Sequence, residues 1–119
     1  MSARAMRIAV YDFVEGDKLT DAHGPVGAQI IRWIAPHLPE AAFDALEIAK
    51  GAALPSPGDY DGVILSGSEK GVYDRANWMA PTRAHLLELR AHGTPVFGIC
   101  FGHQLMADVY GGKAEKADK

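Results

Sequence analysis

Pro95-Val96-Phe97-Gly98-Ile99-Cys100-Phe101-Gly102-His103-Gln104 is the stretch whose reading decides the fold. It opens as a short apolar run with the character of a strand buried on both faces. It then meets a cysteine with glycines two residues away on each side, and runs on through Gln104, Leu105, Met106 and Ala107, mostly good helix formers. Strand, sharp turn carrying a nucleophile, helix is the layout of a nucleophile elbow, with cysteine in place of serine. Gly98 and Gly102 leave room where the two backbones approach. Cys100 falls at the helix N-terminus, where unpaired N–H groups and the helix dipole favour a thiolate. A lone cysteine is most often a small buried apolar side chain. Such a cysteine needs no glycine pair around it, so the flanking residues favour the nucleophile.

The rest of the chain is ordinary for one globular domain. It has 119 residues, 48% apolar and 23% charged. A net charge of −3 supplies no basic field for nucleic acid or a membrane surface. The stretch from Met1 to Met6 has no apolar signal core, and no apolar run approaches membrane-spanning length. With a single cysteine there is no internal disulfide framework, and the expected compartment is the cytoplasm.

Outward from the elbow, Arg7–Phe13 reads as a first strand rich in β-branched and aromatic residues. The acidic stretch 14–24, which includes His23, reads as a loop. Pro25 opens a helix whose apolar stripe is Val26, Ile30, Ile31, Trp33 and Ile34, ended by Pro36 and Pro39. Ala42–Ile48 is a weaker strand with poor alternation, expected at the sheet edge, and 51–60 is turn material. Asp61–Ser66 is a third strand, 67–77 a loop, and Pro81–His92 a helix stopped by Gly93. In that helix Ala84, Leu86, Leu87 and Leu89 are expected inward, with His85 and His92 in solvent. The elbow helix runs to about Tyr110, and the tail is charged.

Alternating strands and helices imply parallel crossovers, hence an α/β fold: a doubly wound, mostly parallel sheet with helices on both faces. Active sites in such sheets form at the carboxyl ends of the strands. The loops 14–24 and 67–77 and the elbow therefore converge on one rim. A thiolate attacking a carbonyl needs donors for the developing oxyanion. The Phe101 N–H is one, and Ser66-Gly67-Ser68 closes the neighbouring strand.

Gly98 to Ala107 followed by Gly111-Gly112-Lys113 resembles the elbow of the class I (triad-type) glutamine amidotransferases, which are flavodoxin-like α/β domains. The nearest likeness is to the amidotransferase domain of GMP synthetase and its stand-alone relatives. Ile64-Leu65-Ser66-Gly67-Ser68 with Gly71-Val72-Tyr73-Asp74 is similar to that family's oxyanion-strand loop, and the likeness runs from about Arg7 to Lys113. The resemblance implies that Cys100 is the nucleophile attacking the side-chain amide of L-glutamine. Gly67, Ser68 and Phe101 would form the oxyanion hole, and Gln104 would help bind the substrate. It implies a synthetase domain or subunit that accepts the ammonia, and neither cofactor nor metal.

The family's commonest loop reads Ser-Gly-Gly-Pro, where this chain has Ser66-Gly67-Ser68-Glu69. The family's histidine and glutamate lie in a Pro-x-His-x-Glu stretch well beyond the elbow, and the 119 residues contain none. The expectation is that residues 1–119 are the N-terminal part of a single amidotransferase domain. The alternatives are a γ-glutamyl hydrolase of the same superfamily and a non-catalytic binding or regulatory module lacking the triad histidine and glutamate.

Overall fold

The computed structural model describes residues 6–14, 25–68, 77–99, 104–106 and 109–110. Its core is a four-stranded parallel sheet in the order β2-β1-β3-β4, formed by β1 (Met6–Tyr11), β2 (Ala41–Leu46), β3 (Gly62–Leu65) and β4 (Val96–Gly98). Helix α1 (Val26–Ile34) carries the chain from β1 to β2, and α2 (Met79–His92) carries it from β3 to β4. The period-two alternation of the strands sorts their side chains between two cores. Ile8, Val10 and Ile64 pack with Ile30, Ile31 and Ile34 of α1. Ala9, Tyr11, Val63 and Leu65 pack with Met79, Leu86 and Leu89 of α2. The helices thus cover opposite faces, as a doubly wound sheet requires. The weak strand lies at the edge of the described sheet, as its poor alternation implied.

Several sequence expectations need correction. Trp33 is 71% exposed rather than part of the α1 stripe. The buried side of α1 runs through Gly27, Ile30, Ile31 and Ile34, and at 3.6 residues per turn Trp33 falls roughly 110° round from it. Helix α2 starts at Met79, two residues before Pro81. The proline is tolerated in the first turn because N–H groups there have no helical acceptor. Its inward side is Met79, Thr82, His85, Leu86 and Leu89, so Leu87 and Ala84 face solvent and His85 does not. Gly93 does end the helix, in the left-handed conformation at φ 86°. Phe97, expected to be buried, is 63% exposed. Phe97 shares the α1 face with Ile99, and α1 lies over β1 and β2 rather than over β4.

Candidate active site

The carboxyl ends of β1, β3 and β4 are laced together by hydrogen bonds that continue past the last paired residues. Ser66 N–H donates to the Tyr11 carbonyl at 3.0 Å, and Ile99 N–H donates to the Leu65 carbonyl at 2.9 Å. Leu65 is in register with Gly98. The segment that follows β3, Ser66-Gly67-Ser68, therefore stands beside the segment that leads from β4 into the elbow, on one rim. Ser66 is fully buried, and Gly67 and Ser68 are half-buried. The Ser66 hydroxyl accepts the Phe13 N–H at 2.9 Å and donates to the Gly67 carbonyl at 2.7 Å.

Cys100 and Phe101 lie outside the described residues, as do Gly102 and His103. The chain is described again at Gln104, which is exposed at the start of a helical turn, 104–106. Leu105 beside it is fully buried among the α2-side apolar residues, and Met106, Val109 and Tyr110 pack against the same cluster. The Tyr110 hydroxyl donates to the Leu86 carbonyl at 2.9 Å, and Arg90 Nη1 donates to the Tyr110 carbonyl at 3.2 Å. The described residues 104–106 and 109–110 are thereby fastened to α2, with Gln104 exposed. Of the expected site residues, the structure brings Gly67 and Ser68 to the rim of the strand that leads into the elbow.

Two features of the rim were missed from the sequence. Asp12, directly after β1, is 2% exposed, and its two carboxylate oxygens accept the N–H groups of Val14 and Gly27, each at 2.9 Å. It caps α1 from outside the helix, a link between residues fifteen positions apart that no local capping pattern announces. Phe13 stacks on Trp78 with ring centroids 5.0 Å apart and planes 5° from parallel. Trp78 also helps wall an open cleft of about 560 Å³ between the 48–54 segment and the start of α2.

The second is a buried polar pair beneath β1. Tyr11 Oη and His85 Nε2 are 2.7 Å apart, and His85 Nδ1 is 3.6 Å from Glu88 Oε1. Burial pushes the Tyr11 phenol well above its usual value and pulls His85 below its ordinary 6.5, against the opposing pull of Glu88. The phenol therefore stays protonated and the imidazole neutral; with the ring proton on Nδ1, the nitrogen that faces Glu88, Nε2 accepts the phenol O–H. A base with a depressed pKa in the fold contributes stability in full above the unfolded value, and this is lost as pH falls toward the folded one. The unfolding free energy should therefore decline as pH drops below about 6.5. His85→Gln, which can still accept from Tyr11, should flatten that decline, as urea titrations at pH 7.5, 6.5 and 5.5 will read.

Among the described residues no group of three His, Cys, Asp or Glu side chains is placed to hold a metal ion, and no helix is long and apolar enough to cross a membrane.

A parallel, doubly wound sheet defines an α/β protein, a class whose sites form at the carboxyl ends of the strands. Comparison with known proteins gives the class a family. The sequence profile of "Glutamine amidotransferase class-I" matches residues 29–119. A GMP synthase [glutamine-hydrolyzing] of Desulfotalea psychrophila is 52% identical over 59 residues, which is 49% of this chain and 10% of that protein. Gamma-glutamyl peptidase 4 of Arabidopsis thaliana is 37% identical over 60 residues, 50% of this chain and 24% of that protein. Among solved structures, a glutamine amidotransferase of Methylobacillus flagellatus superposes with a TM-score of 0.65 at 22% identity, covering 92% of this chain and 40% of that one. The chain belongs to the class-I glutamine amidotransferase family. It spans less than half the length of each of these three proteins.

Proposed function

We propose that residues 1–119 form the N-terminal part of a glutamine amidotransferase domain and carry its nucleophile. The observation that supports this most is the register of β3 with β4. It sets Ser66-Gly67-Ser68 beside the strand that runs into Gly98-Ile99-Cys100. The Cys100 thiolate attacks the side-chain carbonyl carbon of glutamine. The carbonyl electron pair moves to oxygen, where N–H groups of the 67–68 loop and of Phe101 receive it. Collapse breaks the C–N bond, nitrogen leaves as ammonia once protonated, and a γ-glutamyl thioester remains on sulfur. Water then releases glutamate and returns the thiol. Gln104, exposed at the start of the helical turn 104–106, serves substrate binding. Ammonia passes to an acceptor held by a synthetase domain or subunit, and a free catalytic thiol suits the reducing cytoplasm.

The likeness to a gamma-glutamyl peptidase favours one second reading, a hydrolase acting through the same thioester without passing on ammonia. Protection of Cys100 from alkylation separates the two. L-Glutamine at millimolar concentration should slow the reaction at least about fivefold, with L-asparagine without effect. Protection by γ-glutamyl peptides alone would favour the hydrolase, and equal protection by asparagine would contradict both.

A further inference from the structure

We infer that Ser66 is a positioning residue for the oxyanion hole, acting through the Gly67–Ser68 peptide; this rests on the reading of Cys100 as the nucleophile. Three observations carry it. Ser66 is fully buried on the rim, so its hydroxyl has no water to turn toward. The Phe13 N–H, 2.9 Å away, can only donate, and it occupies the lone-pair side of Oγ. The hydroxyl proton is thereby directed to the Gly67 carbonyl, 2.7 Å away. No described peptide bond is cis. In a planar trans peptide the C=O and the following N–H point in opposite directions. Holding the Gly67 carbonyl toward the buried serine therefore holds the Ser68 N–H away from it, toward the half-buried side of the rim.

The chain is thus Phe13 N–H to Ser66 Oγ, Ser66 O–H to the Gly67 carbonyl, and the Ser68 N–H to the oxyanion. It ties the aim of the donor to the end of β1. Removing the hydroxyl frees the peptide to rotate and takes away the Ser66 Oγ that the Phe13 N–H donates to.

Two reagents at Cys100 test the inference in the 119-residue chain. An activated γ-glutamyl nitrophenyl ester is attacked at its carbonyl. A C–S bond forms, the electron pair moves to oxygen, and collapse breaks the C–O bond and expels nitrophenolate without a proton donor. Iodoacetamide is attacked at its methylene carbon, iodide leaves, and no oxyanion forms. Ser66→Ala should slow the ester reaction at least about tenfold while the iodoacetamide rate stays within about twofold, and Ser66→Thr should restore the ester rate to within about threefold. Should Ser66→Ala not fold by circular dichroism, Ser66→Cys, a weak donor, takes its place, with rates read on the Cys100 peptide by mass spectrometry. Equal slowing with both reagents, or none with the ester, overturns the positioning role. Acylation of the unsubstituted chain at a residue other than Cys100 overturns the nucleophile reading, and the inference with it.

Discussion

Residues 1–119 assayed alone should release no ammonia from glutamine above a Cys100→Ala control. The same residues continued through a Pro-x-His-x-Glu stretch should release it at least about 10³-fold faster, since catalytic groups that act as a unit fail together. A thiolate can begin acylation unaided, because cysteine needs less activation than serine. Ammonia, however, leaves only once protonated, and the thioester needs a base to activate water. The structure removes three of the five histidines from candidacy. His37 follows α1 and precedes β2, and so lies at the amino ends of the strands. His92 ends α2 at that same side, with its ring 3.5 Å from where a Cβ on Gly58 would stand, just before β3. His85 is buried against Tyr11. His23 and His103 lie outside the described residues. Ammonia release by the short chain that depends on Cys100 would assign the base to one of those two.

The largest stability effect is expected at Asp12. Both of its oxygens accept buried N–H groups, one closing the turn after β1 and one at the second residue of α1. Alanine leaves two donors without acceptors. At about 1–3 kcal/mol for each such group, Asp12→Ala should cost on the order of 2–6 kcal/mol. Asparagine is little better, because one of its two ends is a donor and must face another donor. Space offers no relief, since a Cβ on Gly27 would already stand 3.1 Å from Ala45 Cβ and 3.3 Å from Asp12 Cβ. The comparison is Asp44→Ala, which loses an exposed bond to Tyr60 and a long ion pair to Arg7 and should cost under about 1 kcal/mol. Urea midpoints at constant m-value will read both. Equal costs for the two substitutions would mean that the Asp12 cap is not what holds α1 to the sheet.

What was legible in the sequence was what a periodic pattern or a turn residue states locally. Continuous apolar runs gave β1 and β3, and the isoleucine stripe gave α1. Gly93 marked the end of α2. The inward side of α2 was not legible, because two of its buried positions, Thr82 and His85, are polar and satisfied by partners, while apolar Leu87 faces out. Composition thus found Leu86 and Leu89 on that side and missed its polar half. Phe97 misled for a similar reason: an apolar strand residue says nothing of how far the covering helix reaches. At the candidate site, the place of Gly67 and Ser68 on the rim was legible because they follow a strand. The hydrogen bonds of Asp12 and Ser66 were not, because they reach partners 15 and 53 residues away.

The reading of this chain as an amidotransferase stands on Cys100. Its most direct test is reaction with a glutamine-like electrophile, a γ-chloroketone or diazoketone analogue of glutamine, followed by peptide mass spectrometry of the intact folded protein. The account predicts one label per chain, on Cys100, suppressed by L-glutamine. A label elsewhere, or none on a chain shown to be folded, would contradict it.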